Sequence, residues 1–473
     1  MKYARFVCAG LVLTLLLGCL NACEKNPSPT EPSSTQTTQA VYSGYHGPKA
    51  DYVYLHESGR NRDWEEDILY FANSYMTNHP MMRNRDFPVQ YSGYRTEGRR
   101  YYSQDLCDEF VSEINRLIPE IADLNDDEIL CRLQMITVLF HDIHTRLDYL
   151  PESSYSICFM PFYENETPQF YTVLIDESYE NLLKSRLIAI NDVPVEEIIE
   201  RMRTFVVHEN DVGLIRSMAY GGVGYEYLSN LMALRSIGVI GRTAARANFT
   251  LMSENGTETT IELRARTGLY FYSMVGVSGD MPYPIPFSNW ERNYWLDTEL
   301  SPGTLYLRIS SFAVTADYLY MDLANELMAL QNQGQTFDKI IVDLRFNGGG
   351  YEYLGYSSLY RTLSYFHADE FYVLMDEYTA SCSMLFASEL DNIIENVQFV
   401  GAPPGEAPGF LAGIYENSYV MPHCNIALTI PTCGYQPFPD NEENTFIPDI
   451  LIRPTLEEYF ACRDMVLEYL LQS

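Results

Sequence analysis

A short apolar run, Ile340 to Val342, leads into Asp343, Arg345 and Asn347 and then into three consecutive glycines, Gly348 to Gly350. Consecutive glycines let backbone N–H groups turn inward at positive φ with no Cβ in the way. A strand ending in such a loop can offer amide donors to a developing oxyanion. Further along, Tyr378-Thr379-Ala380-Ser381-Cys382-Ser383 forms a second junction. It precedes a helical face of Phe386, Leu390, Ile393 and Val397. An amide-rich loop followed by a serine at a helix N-terminus points to acyl-transfer chemistry, because the helix end favours negative charge. The competing role for Ser381 is an N-cap that satisfies orphan N–H groups; Ser383 can serve as the cap and leave Ser381 free. The Cys382 side chain should point away from that of Ser381 into the core, leaving its backbone N–H for the oxyanion.

Serine is a weak nucleophile until a base takes its proton. The chain has only five lysines, Lys2, Lys25, Lys49, Lys184 and Lys339, and none follows Ser381. A Ser–Lys pair with the lysine downstream is therefore excluded, and a histidine must serve. Among eight histidines the best placed is His144. It follows a helical pattern, lies between Asp142 and Thr145, and either neighbour could hold one ring nitrogen and fix its tautomer. A histidine merely satisfied by Asp142 at a helix end is the competing reading. His141 is the close rival, and His423 reads as a loop residue.

The formal charge of −33 over 473 residues disfavours nucleic acid and anionic lipid heads as partners. The first 23 residues read as a targeting segment: Lys2 and Arg5, an apolar stretch from Phe6 to Leu17, then two lipobox-like sites ending at Cys19 and Cys23. Cys23 fits better, because the polar Glu24-Lys25-Asn26 follows at once. Acylation there would give a lipid anchor and place the protein outside the cytoplasm, on a bacterial cell membrane. The seven later cysteines show no CxxC pair or metal-ligand spacing, and there is no HExxH. No metal or cofactor is expected.

Residues 24–45, rich in Pro, Ser, Thr and Gln, read as a flexible tether. Residues 46–150 read as helical. Trp64, Ile68, Phe71 and Tyr75 share one face; Ile129, Leu133, Ile136 and Phe140 share another, behind an Asn125…Glu128 pair with capping-box spacing. Residues 151–270 turn to short β-rich runs, with Asn255-Gly256 as a hairpin turn and a helical insertion over 204–245. Such strands suit a small peptide-binding β-domain. Residues 271–473 form the last segment, and from 300 on strands alternate with helices, including one from Thr315 to Leu330, which argues for stacked βαβ units.

These segments resemble the tail-specific, or C-terminal-processing, serine peptidases, a family that includes tricorn protease. Asp343 to Gly350 resembles that family's Asp-Leu-Arg-x-Asn-Gly-Gly-Gly. Asp376 to Leu390 resembles the nucleophile segment, His141 to Leu147 the Asp-Gly-His-Thr element, Ser185 to Ile199 the PDZ-like Ile-Asn-Gly segment, and Phe446 to Tyr459 the C-terminal Pro-Asp element. The likeness spans nearly all of the chain after the leader, in the family's order. It implies an α/β multi-domain fold: an N-terminal helical domain, a PDZ-like β-domain, and a catalytic domain resembling the crotonase/ClpP-like spiral.

The resemblance also implies roles. Ser381 would be the nucleophile and His144 the base, as in the tricorn-like branch. Gly349 and Cys382 would supply oxyanion N–H groups, and Glu442 or Glu443 would orient the histidine. Asp142, Thr145, Asp343, Arg345 and Asn347 would support them. The implied partner is a peptide or protein substrate. Ile143 stands where the family has glycine, Cys382 where it has a small residue or serine, and the acidic residue that selects basic side chains is absent. The alternative expectation is a family member without activity, acting as a peptide-binding surface lipoprotein.

Overall fold

The computed structural model describes residues 52, 54–91, 96–149, 153–219, 226–267, 274–276, 292–313, 320–351, 356–413, 419–439, 441 and 443–472. The leader with Cys19 and Cys23, the tether at 24–45, Thr315 and Glu442 lie outside the described residues.

The fold is mixed α/β. Its central layer is a six-stranded sheet ordered Tyr294–Asp297, Thr304–Ile309, Lys339–Asp343, Glu370–Met375, Val397–Gly401 and Ile450–Leu451. The first pair is antiparallel and every later pair is parallel. Parallel strands need crossovers, and helices Tyr320–Asn332, Tyr356–Leu363 and Cys382–Ile393 lie between them in the chain. Both faces of the sheet are covered. Leu305, Leu307, Ile340, Val342 and Phe386 belong to the core on one side; Tyr306, Ile341, Leu374, Val466 and Leu470 belong to the core on the other. Burial on both faces explains why Ile340 to Val342 reads as an unbroken apolar run. Lys339, at the mouth of that strand, donates to the Leu470 carbonyl and pairs with Glu370 at 3.1 Å.

Helices Arg60–Asn78, Gln104–Glu120 and Asp126–Val138 build a second core around Ile68, Phe71, Phe110 and Leu133. The capping box at Asn125 and Glu128 forms as the spacing predicts. Among the described residues no helix is long and apolar enough to cross a membrane. Strands between Ile157 and Gly276 form a seven-stranded sheet, within which Arg246–Met252 and Glu258–Arg264 make the hairpin expected at Asn255-Gly256. The core of this sheet also takes in Leu214, Leu231 and Leu234 from the helical insertion.

The cores do not follow the chain in simple succession. Cys433–Gln436 pairs in parallel with Asp86–Tyr91, and Ala427–Thr429 pairs with Arg146–Leu147. These long-range ladders bring the segment after the third helix, with its histidine, against the late part of the chain.

Candidate active site

Ser381 sits at the N-cap of the Cys382–Ile393 helix, but its side chain makes no capping bond. Its backbone has φ 56° and ψ −121°, a conformation that costs a non-glycine residue about 1–3 kcal/mol and persists only where surroundings impose it. Here they do. Ala380 N–H donates to the Asn347 carbonyl at 3.0 Å. Ser381 N–H donates to Glu406 Oε2. Ser383, the alternative cap, instead donates its hydroxyl to the Asn347 carbonyl at 2.9 Å. The sharp turn thus leaves the Ser381 hydroxyl outside the helix's own bonding.

Asn347 fastens the glycine loop to this turn. Its Nδ2 donates to the Ile309 carbonyl at 2.9 Å, and its Oδ1 accepts from Gly349 N–H at 2.9 Å. The Gly349 amide expected at the oxyanion site is therefore engaged by Asn347. What glycine provides at 349 is proximity. At φ 97° an added Cβ would lie 2.6 Å from Ser381 Cβ and 2.9 Å from Cys382 N. No side chain fits between the loop and the serine turn. Cys382 is buried in the core, and its amide opens the helix.

Asp343 and Arg345 act one layer back. Asp343 accepts from Arg345 Nε at 3.0 Å, Arg345 Nη2 at 2.7 Å and the Tyr306 hydroxyl at 2.8 Å. Arg345 also makes a two-pronged bond to Asp464, 2.8 Å at each oxygen. Asp343 is fully buried and Arg345 nearly so. The pair bolts the strand end that carries the glycine loop to the residue just before the C-terminal helix. It does not reach the reacting atoms.

His144 Nε2 lies 3.2 Å from Ser381 Oγ across 237 positions of sequence. The rings of Phe410 and Tyr435 hold the plane of the imidazole: Phe410 stacks on His144 at 5.6 Å between centroids, and Tyr435 stacks on Phe410 at 5.4 Å. His141 is exposed at φ 47° beside His208, and His423 bonds Glu66 at 2.9 Å. Neither rival histidine is at Ser381.

Asp142 accepts from His144 N–H at 3.3 Å, and its Oδ1 is 3.8 Å from His144 Nδ1. Thr145 does not hold the His144 ring. Its hydroxyl donates to Asp142 Oδ2 and accepts from His79 Nε2 at 2.8 Å. Because His79 Nδ1 accepts from Met81 N–H at 3.2 Å, its proton is on Nε2, and burial holds its pKa down despite Asp142 nearby. A directed chain thus runs from the Met81 amide through His79 and Thr145 to Asp142. Sequence reading passed over His79, a residue at the end of the first long helix with Pro80 after it as the only local mark.

The other carboxylate at the ring is Glu406, whose Oε1 is 3.7 Å from His144 Nδ1. The expectation placed Glu442 or Glu443 in that position. Glu443 is exposed, its N–H bonded to Asn441 at 3.0 Å, and Glu442 is outside the described residues. Glu406 comes from a turn rich in proline and glycine, Pro403-Pro404-Gly405-Glu406, with no periodic signal to mark it. Helix Asp211–Met218 of the insertion presses on that turn. Asn210 Nδ2 donates to the Pro404 carbonyl at 3.2 Å, and a Cβ on Gly213 would lie 2.4 Å from the Gly405 carbonyl oxygen. Glu209 joins from the same segment, accepting from Ala407 N–H at 2.6 Å and from Ile143 N–H at 3.3 Å.

These groups set one another's protonation. Burial opposes charge on His144, but its interaction with Asp142 and the charges of Glu406 and Asp142 outweigh it, holding the imidazole above its usual range. Burial opposes charge on Asp142 too, yet its contacts with His144 and His79 keep it below the usual carboxylate range. Burial pushes Glu406 up to about 7, against the pull of His144. Glu209 is raised well above the ordinary value by burial and by the charges of Glu406 and Asp142. The arrangement can hold a neutral imidazole ready to take a proton from Ser381 and can stabilise the imidazolium that results.

No protein-family profile matches the sequence, and no curated protein matches it. Solved structures do match. Mature CPAF complexed with lactacystin aligns with 87% of this chain and 97% of its own, at 11% identity and a TM-score of 0.54. Another structure of mature CPAF covers 87% of this chain and 96% of its own, also at 11% identity, with a TM-score of 0.53. This chain therefore has the fold of mature CPAF over most of its length. A Bacteroides fragilis structure described as a protease covers 89% of this chain and 98% of its own at 11% identity, but its TM-score of 0.34 carries no argument.

Proposed function

We propose that this chain is an extracytoplasmic serine endopeptidase, tethered to the membrane by acylation at Cys23. The observation that carries the reading is the contact of 3.2 Å between His144 Nε2 and the hydroxyl of a serine held in a strained turn. Ser381 Oγ attacks the peptide carbonyl while His144 Nε2 takes its proton. The resulting oxyanion is received by the Cys382 N–H at the helix N-terminus, where the helix dipole favours negative charge. His144 then gives the proton to the departing amine, and water repeats the cycle on the acyl-enzyme. Asp142 and Glu406, on the Nδ1 side, stabilise the imidazolium.

The test is hydrolysis of an unfolded protein substrate by the mature chain. Cleavage is expected from the wild type and none above background from Ser381→Ala. Tight binding of the substrate without cleavage by either protein would replace the reading with that of a peptide-binding protein.

Glu406→Gln supplies a pH test. His144 must be neutral to accept the serine proton, so activity falls on the acid side as the ring protonates. The Glu406 charge raises the pKa of that ring and moves the fall to higher pH. Removing the charge should shift the acid limb of kcat/KM to lower pH, while kcat at the optimum falls. An acid limb that stays in place would remove Glu406 from the proton path.

A further inference from the structure

The carboxylates around His144 also form a cluster of potential ligand atoms. One ligand atom each from Asp142, His144 and Glu209 lies within 4.8 Å of the others. Glu406 Oε1 is 3.7 Å from His144 Nδ1, and Asp142 Oδ1 is 3.8 Å from it. The Glu406 side chain is wholly buried, and its Oε1 and the His144 Nδ1 are both buried with no hydrogen-bond partner. Their separation exceeds a hydrogen bond. Two buried polar atoms without hydrogen-bond partners thus face each other across a gap, with Asp142 and Glu209 beside it. Among the described residues, the ion-pair partners of Asp142 and Glu406 are histidines.

We propose that Asp142, Glu209, Glu406 and the Nδ1 of His144 bind one divalent transition-metal cation of the Zn2+ type, and that this cation switches the serine off. Zinc bonds to imidazole and carboxylate at about 2.0–2.2 Å, which puts ligand atoms of a tetrahedral site roughly 3.4 Å apart. The separations of 3.8 and 3.7 Å from His144 Nδ1 to Asp142 and Glu406 are close to that spacing, and the ligand atoms of Asp142, His144 and Glu209 lie within 4.8 Å of one another. The outer contacts needed to hold the ligands are in place. Thr145 and the His144 amide bond Asp142, the Ile143 and Ala407 amides bond Glu209, and the Ser381 amide bonds Glu406.

Binding has a defined consequence for the ring. A cation on Nδ1 takes the lone pair there and leaves the ring proton on Nε2, the nitrogen that faces Ser381. That nitrogen can then only donate, so it cannot accept the hydroxyl proton. Any protons that Glu406, Glu209 or Nδ1 carried are released to solvent as the cation enters. Binding itself does not depend on the proposed peptidase activity; the switching effect does.

A competing position exists at the surface, where His423 is 2.9 Å from Glu66 and 3.8 Å from Asp63. The experiment therefore titrates ZnCl2 into the chelator-stripped mature chain by calorimetry, using Ser381→Ala to prevent self-cleavage. It compares that background with added Glu406→Gln, Glu209→Gln, His144→Ala and His423→Ala. One bound Zn2+ is expected, with affinity reduced by at least roughly tenfold in each of the first three variants and unchanged in the last. X-ray absorption should show one imidazole nitrogen among oxygen ligands. In the wild type, Zn2+ should block labelling by a fluorophosphonate, and a chelator should restore it.

Binding lost only with His423→Ala, or no stoichiometric binding at all, overturns the site. Labelling that proceeds unchanged with the cluster saturated overturns the switch. Binding that follows the cluster variants in a protein never labelled, even free of metal, upholds the site and removes the peptidase reading instead.

Discussion

His144→Ala should lower kcat/KM by about 10⁴-fold or more, with no comparable loss of stability. Without the imidazole no side chain described at Ser381 Oγ can take its proton, and a neutral serine hydroxyl is a poor nucleophile. The ring is also partly accessible, at 17% side-chain exposure, so its removal leaves no sealed void. The double variant with Ser381→Ala should be no slower than the single ones, because the two side chains act as a unit. Ser383→Ala provides the contrast. Its hydroxyl bonds the Asn347 carbonyl rather than the reacting atoms, so a loss of about tenfold or less is expected through the loop it steadies. Steady-state kinetics on a quenched peptide checks all four proteins. A His144→Ala enzyme within tenfold of wild type would contradict the assignment of the base.

Arg345→Ala should destabilise the protein by about 3–5 kcal/mol, the cost of stripping one partner from a buried ion pair. Arg345 is bonded to both Asp343 and Asp464, and its loss leaves the buried Asp343 and the partly buried Asp464 with Arg308, 3.7 Å from Asp343, as the neighbouring cation. Burial opposes charge on Asp343, and the guanidinium charges of Arg345 and Arg308 hold its carboxyl below the usual range. Asp343→Asn should cost less, because Arg345 keeps Asp464 and a neutral amide can still accept the Tyr306 hydroxyl. Thermal unfolding and urea titration measure the order of these losses. Equal losses, or a silent Arg345→Ala, would show that the C-terminal helix does not depend on this anchor.

What the sequence shows of this molecule follows the range of the forces involved. Local signals hold: the Asn125–Glu128 capping box and the Asn255-Gly256 hairpin form at those residues. Burial on both faces also leaves a direct mark, the apolar run at Ile340 to Val342. Ser381 and His144 are legible because each sits in a local setting unusual for its type, an amide-rich serine junction and a histidine between two hydrogen-bonding neighbours. Which carboxylate faces Nδ1 is not legible. Glu406 reaches the ring through a turn whose position is set by Asn210 and Gly213, nearly two hundred positions earlier, and by the close approach of two glycines. No period or spacing records that contact. The engagement of the Gly349 amide by Asn347 is hidden for a different reason. A triple glycine states what the backbone is free to do, not which donors remain open once a neighbouring side chain turns back on the loop.

The ladders joining Asp86–Tyr91 to Cys433–Gln436 and Arg146–Leu147 to Ala427–Thr429 are equally silent in the sequence. They are short, and their register depends on tertiary packing. Yet they seat the histidine segment against Phe410 and Tyr435 and so set the position of the imidazole.

The central claim is that one hydroxyl in this chain is activated by its surroundings. It is tested most directly by treating the mature, metal-free protein with a fluorophosphonate at neutral to mildly alkaline pH and mapping the adduct by peptide mass analysis. A single adduct on Ser381, absent from Ser381→Ala and strongly slowed in His144→Ala, is the expected result. An adduct on another residue, or a wild-type protein that remains unlabelled, would contradict it.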